Sequence, residues 1–175
     1  MYLMLLYFSA ILAEIQVTFL PVTVGAVLYN HAEIPKEVLQ MANQKHDLVE
    51  YPIQENVRLE SYWRDDVGGR GPAASLYVYD DEIMRFDCFG GDNGHCHFNL
   101  RQTRGRRWMY PEGSFQDHIQ QSLFDLRTNL NFCLQTHQDE RVQEVQIEHG
   151  ILEQAAQQME AHLLVLADKL QQNTA

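Results

Sequence analysis

The stretch Met84-Arg85-Phe86-Asp87-Cys88-Phe89-Gly90-Gly91-Asp92-Asn93-Gly94-His95-Cys96-His97-Phe98-Asn99-Leu100-Arg101 carries two alternating runs on either side of a glycine-rich turn. Alternation of apolar and polar positions marks a strand, and two such runs joined by a Gly/Asn-rich link predict a β-hairpin. In the first run Met84, Phe86 and Cys88 share one face. Cys96, Phe98 and Leu100 continue that apolar face on the returning run. The opposite face then collects Arg85, Asp87, His95, His97, Asn99 and Arg101. Six hydrogen-bonding side chains converge there, and the two cysteines point into the core.

The same periodicity extends outward on both sides. Val57, Leu59, Ser61 and Trp63 alternate with Arg58, Glu60, Tyr62 and Arg64, which predicts another strand. Asp65 to Pro72 is turn-rich, with Gly68-Gly69-Arg70-Gly71-Pro72 as a loop that lacks the Lys-Ser/Thr and the following helix of a phosphate-binding P-loop. Ser75 to Tyr79 and Ile83 to Phe89 are strands joined by a tight Asp80-Asp81-Glu82 link. His95 to Gln102 returns, and Arg104-Gly105-Arg106 turns the chain into Arg107 to Tyr110. Four or five short strands in meander order result.

At Ser114 the period changes. Ser114 and Asp117 form a capping box with Asp in place of Glu, and Phe115, Ile119, Leu123, Leu126, Leu130, Cys133 and Leu134 recur at steps of three and four. An amphipathic helix to about Thr136 follows from that stripe. After a polar interruption at Gln138 to Arg141, Leu152, Met159, Leu163, Leu166 and Leu170 mark a second helix from about Glu148 to Gln171. The expected fold is α+β: a small antiparallel β-meander packed against a long amphipathic helix, with an extra C-terminal helix that docks on its own domain or on a partner subunit. The expected divisions are an apolar N-terminal extension (1–50), a core domain (51–137) and a C-terminal helical segment (138–175).

Residues 1–32 contain one charged side chain, Glu14, and no Lys or Arg precedes Lys36. A membrane anchor would want flanking positive charge, and Pro21 and Gly25 interrupt the apolar run, so a core element or an upstream extension is the preferred reading. Ile34-Pro35-Lys36-Glu37 resembles a helix start, with a short helix to Asn43. Three cysteines in 175 residues are too few and too odd in number for a disulfide framework and fit a reducing cytoplasm.

The net charge of -11 excludes a protein that coats nucleic acid over its whole surface. Residues 95–110 are the exception, with Arg101, Arg104, Arg106 and Arg107 and no acid. Trp108 and Tyr110 stand beside these arginines as aromatic platforms, so Arg104, Arg106, Arg107, Trp108 and Tyr110 form a candidate RNA-binding set. The bland alternative is a basic edge that discourages sheet aggregation or docks the acidic helices.

On the hairpin face, an imidazole can take or give a proton at neutral pH, Asp87 can orient it, and Arg85 and Arg101 can hold phosphate or a developing anion. Asp87, His95, His97, Arg85 and Arg101 are therefore the candidate catalytic residues. They suit cleavage of RNA by its own 2′-hydroxyl, with neither metal nor cofactor. Two other readings stand beside it. The histidines can simply cap the turn on a wet face. Alternatively, His95-x-His97 with Asp87, Asp92 or His118 can hold zinc or a related ion. His118, His137, His149 and His162 fall on the helices and read as surface or boundary residues.

The run Arg85-Phe86-Asp87 followed by Gly94-His95-Cys96-His97 is similar to an Arg-Tyr/Phe-Asp…His-x-His strand pair of small bacterial proteins, and it resembles the TumE-type toxin family of toxin-antitoxin modules. The aromatic strand at Arg107 to Tyr110 and the helix from Ser114 to Leu134 continue the resemblance over roughly residues 55–136. Cys88, Phe89 and Cys96 depart from the polar pattern, and both ends of the chain are additional. The resemblance implies a bacterial RNA-acting domain held inactive by a cognate antitoxin or other protein, with Asp87, His95, His97, Arg85 and Arg101 as its site. A homodimer formed through the C-terminal helix is a second expected partner. The alternative function is a non-enzymatic interaction domain.

Overall fold

The computed structural model describes residues 44–66 and 69–173, with side chains followed to Lys169. The expectations for residues 1–43, including the short helix before Asn43, lie outside the described residues, as does the side chain of Leu170.

Six strands form one antiparallel sheet in sequence order: β1 Lys45–Gln54, β2 Val57–Asp66, β3 Gly69–Val78, β4 Asp81–Asp87, β5 His95–Phe98 and β6 Trp108–Met109. A helical turn, α1 (Leu100–Thr103), precedes β6. The helices α2 (Phe115–Gln135), α3 (Glu140–Gln143) and α4 (His149–Asn173) follow. The fold is α+β, an antiparallel meander with helices packed against it. No helix among the described residues is long and apolar enough to cross a membrane.

β1 is the element that periodicity does not announce, and it carries the sheet back to Lys45, six residues before the expected start of the core domain. Only Tyr51 and Ile53 of β1 are buried, Pro52 removes one backbone donor, and Asp47 at φ 51 sits in a register shift. These are edge-strand features, and they blur the alternation. β3 also starts earlier than expected, at Gly69 in place of Ser75. Its glycines serve close approach and not a loop: a Cβ on Gly69 would stand 2.4 Å from the Phe89 ring, and one on Gly71 would stand 3.1 Å from Phe115. β5 ends sooner, at Phe98, because Asn99 takes a left-handed conformation (φ 45) and starts α1.

One face of the sheet is apolar and carries both long helices. α2 lies on β4 and β5, and α4 on β1, β2 and β3. Ser114 caps α2 with a complete capping box: its hydroxyl accepts from the Asp117 N–H at 3.1 Å, and the Asp117 carboxylate accepts from the Ser114 N–H at 2.8 Å. The expected stripe is buried from Ile119 through Leu134, against Met84, Phe86, Cys88 and Cys96 of the sheet. On α4, Leu152, Met159, Leu163 and Leu166 are buried. The C-terminal helix thus docks on its own sheet. A two-pronged ion pair from Arg127 to Glu153, at 2.9 and 2.7 Å, ties α2 to α4.

Tyr51, Ser61 and His162 link β1, β2 and α4 through hydroxyl contacts of 2.9 Å and 2.8 Å. Burial, with Lys169 nearby and Asp47 in partial opposition, holds the His162 imidazole below its ordinary value of 6.5. A group whose pKa is lower when folded stabilises the fold above its unfolded pKa and loses that contribution as pH falls through the folded value. Between pH 7.5 and 5, the denaturant midpoint of the wild-type protein is therefore expected to fall further than that of His162→Asn. Parallel curves would remove His162 as the source.

Candidate functional site

The face opposite the long helices is polar, and the sheet register builds it. In the hairpin of β4 and β5, Asp87 stands opposite His95 and Arg85 opposite His97. Paired residues in an antiparallel sheet share a face, so four of the six expected side chains converge. One oxygen of Asp87, Oδ2, lies 3.2 Å from His95 Nε2, 3.3 Å from His97 Nε2 and 3.3 Å from Arg85 Nε. Its other oxygen, Oδ1, accepts from Arg64 Nη1 at 3.3 Å.

Arg64 was not foreseen as a member. It sits on β2, two strands from Asp87, and reaches the carboxylate over β3. The β3 residues facing Arg64 and Asp87 in register are Gly71 and Ala73, which leave room for a long side chain. The sequence signal was present in the small residues Gly71-Pro72-Ala73-Ala74 beside a polar face of β2. It becomes readable only once the strand order is known.

The site lies inside the protein. The side chains of Asp87, His95 and His97 are each 2% exposed, while Arg85, at 17%, is the member nearest solvent. Burial alone would raise the Asp87 carboxyl. Hydrogen bonds from His95 and His97 and the charges of Arg85 and Arg64 outweigh it and hold the group well below the usual carboxylate range. Asp87 is therefore a fixed negative charge.

The two imidazoles differ. His95 Nδ1 donates to the Asn93 carbonyl at 2.7 Å, and its Nε2 faces Asp87. Both nitrogens meet oxygen acceptors. His97 Nε2 lies between Asp87 Oδ2, at 3.3 Å, and Arg85 Nη2, at 3.1 Å. Its Nδ1 is buried with no hydrogen-bond partner among the described residues. A polar network continues from this cluster across the sheet. Arg85 Nη1 lies 3.6 Å from Glu82, Ser75 donates to Glu82 at 2.5 Å, and Tyr62 shares a 2.8 Å hydroxyl contact with Ser75. Glu60 closes the far side with Arg58 and Lys45.

Several expectations need correction. Arg101 does not join the cluster: α1 carries it outward, 80% exposed, to pair with Asp81 at 2.8 Å. Asn99 turns the other way and donates to the Cys133 carbonyl near the end of α2. Tyr110 is buried and its hydroxyl meets Ser122, so it offers no stacking surface. Arg104, Arg106 and Arg107 are exposed, and Trp108 packs on Phe98 at 5.0 Å with the Arg106 guanidinium 5.7 Å from its ring. His118 and His137 are buried, not surface residues. His118 is a clamp: Nδ1 accepts from the Gly90 N–H at 3.1 Å, and Nε2 donates to the Pro111 carbonyl at 2.9 Å. It pins the turn that sets the β4–β5 register. Asp92 is exposed and stands apart from the histidine pair, whereas Asp87 lies with it. Cys88, Cys96 and Cys133 are free, buried thiols, each pushed by burial up to about 12.

Comparison of the chain with protein-family models, curated proteins and solved structures finds no match.

Proposed function

We propose that this domain acts on RNA, cleaving a phosphodiester without a metal at the Asp87, His95, His97, Arg85 and Arg64 cluster. The observation that carries this reading is the single carboxylate shared by two imidazoles and two guanidinium groups. His97, beside Arg85, takes the proton of the attacking 2′-hydroxyl. His95, facing an acceptor at each nitrogen, gives a proton to the departing 5′-oxygen. The new bond from O2′ to phosphorus replaces the bond to the 5′-oxygen, leaving a 2′,3′-cyclic phosphate and a 5′-hydroxyl. Arg85 and Arg64 neutralise the charge that builds on the phosphoryl oxygens. Arg85, the most exposed member, meets the phosphate first, and Arg104, Arg106 and Arg107 supply flanking positive charge, whereas Trp108, paired with Cys96, lies on the opposite, apolar face. The resemblance to TumE-type toxins points the same way and adds a bacterial cytoplasm, which suits three free thiols.

Purified full-length protein is expected to cleave a fluorogenic single-stranded RNA in EDTA and leave a cyclic-phosphate end. His95→Ala and His97→Ala, with unchanged circular dichroism, are expected to lose about 10²-fold or more in rate. Full activity in the double variant would end the assignment. A second reading is a non-enzymatic interaction domain, and one observation favours it: Phe124 and Phe132 of α2 are 58% and 62% exposed. A cognate antitoxin, another protein or a second copy of the chain would cover that face. A folded protein that cleaves no RNA but binds such a partner through Phe124 and Phe132 would support it.

A further inference from the structure

We propose that Asp87, His95 and His97 also form a binding site for a borderline divalent metal ion of the zinc type, and that the bound ion switches the cluster off. The first part stands on geometry alone; the second rests on the acid–base reading above.

One donor atom from each of the three side chains lies within 4.8 Å of the other two, and all three residues are buried. Among the described residues this is the one such group of His, Cys, Asp and Glu. The separations suit a metal-bound pair of ligands as well as a long hydrogen bond. Charge-assisted N–H···O bonds between imidazole and carboxylate run at about 2.7–2.9 Å. The observed separations, 3.2 and 3.3 Å, are longer. They match the edge of a tetrahedron around zinc, about 3.3–3.4 Å for ligands at about 2.0–2.1 Å. Two edges of a coordination polyhedron are thus already set.

The surroundings of His95 fit as well. Its Nδ1 donates to the Asn93 carbonyl, the hydrogen bond that commonly orients a metal-binding histidine, and this leaves Nε2 turned toward the site. The donor set, two imidazole nitrogens and one carboxylate oxygen, selects zinc, cobalt and their neighbours over magnesium or calcium and leaves a fourth position open. The hairpin register fixes all three positions, and the His118 clamp holds the intervening turn.

Arg85 is the competitor. Its Nη2 lies 3.1 Å from His97 Nε2, and its positive charge lies against the same carboxylate oxygen. Metal binding requires this guanidinium to swing toward Glu82, already 3.6 Å away. An ion seated on both Nε2 atoms displaces the His95 proton and fills the nitrogens that the proton transfers use, so cleavage stops while it is bound.

Full-length protein stripped with chelator is titrated with Co²⁺ and followed by visible absorption. One equivalent is expected to bind and to be displaced by Zn²⁺. Binding is expected to disappear in His95→Gln and His97→Gln and to tighten at least about tenfold in Arg85→Gln, since a competing cation is removed. That gain cannot come from misfolding. No uptake at stoichiometric cobalt, or uptake unchanged in both histidine variants, would overturn the site. RNA cleavage is expected to fall with one equivalent of Zn²⁺ and to return with EDTA. If cleavage persists at full occupancy, the inhibitory role fails. Binding without cleavage under any condition would leave the metal site standing and remove the ribonuclease reading, whereas cleavage in EDTA with no metal uptake would do the reverse.

Discussion

Asp87→Ala is expected to cost about 3–5 kcal/mol of stability, enough to leave a small domain largely unfolded in mild denaturant. The loss is large because the carboxylate is the common acceptor for four donors. Without it, the Arg64 and Arg85 guanidinium groups and both histidines lose their shared acceptor in a buried site. Asp87→Asn keeps the shape and one oxygen, so an intermediate loss is expected. The pH dependence has a definite sign. A carboxyl held below its ordinary value of 3.8 contributes stability above that value and loses it as pH falls through the depressed one. The gap between wild-type and Asp87→Ala should therefore be widest near neutrality and shrink in acid. Urea midpoints across this range read it directly. A loss under about 1 kcal/mol at pH 7 would mean that water, not the network, solvates these groups.

Gly94→Ala is the second large effect, and its cause is steric. A Cβ at this position would stand 2.0 Å from His118 Nδ1 and 2.2 Å from Cε1. The ring cannot turn aside cheaply, because Gly90 donates to Nδ1, Nε2 donates to Pro111, and Tyr110 packs at 5.5 Å. Overpacking of this kind costs about 1–3 kcal/mol, and each buried hydrogen bond broken adds about 1–3 kcal/mol. A total of about 3–5 kcal/mol is expected. The double variant Gly94→Ala/His118→Ala tests the cause. With the ring gone the new methyl has space, so the double variant should be more stable than the sum of the single losses by at least about 1 kcal/mol. Additive losses would place the strain elsewhere.

Gly94 also illustrates what a single sequence can and cannot disclose. Its place in a Gly/Asn-rich turn was legible, but the imidazole that demands its lack of a side chain comes from a helix 24 positions later. Periodicity carried the β4–β5 hairpin, the capping box of Ser114 and the buried stripes of α2 and α4, because one repeat length specifies each of them. It failed where tertiary contact overrides local pattern. β1 is a charged edge strand interrupted by a bulge and Pro52. Gly69 and Gly71 read as a loop because their packing against Phe89 and Phe115 is invisible in the chain. The candidate site divides in the same way. Arg85, Asp87, His95 and His97 follow from alternation across one hairpin. Arg101 was lost because Asn99, in a left-handed conformation, ends the strand two residues earlier. Arg64 was missed because it reaches its partner over a third strand.

The placement of α4 has a consequence for how the chain is made. Each strand pairs with its immediate predecessor, so the sheet can assemble hairpin by hairpin as it leaves the ribosome. Yet the cover for β1, β2 and β3 is a helix made after all six strands and α2, and Lys169 near its end reaches back to Asp47 at 3.2 Å. Until α4 emerges, Leu59, Leu76 and Val78 have no lid from that side. Nascent chains stalled before residue 149 should therefore expose a sticky, half-clad sheet and attract chaperones, whereas chains extended past residue 173 should clear them at once.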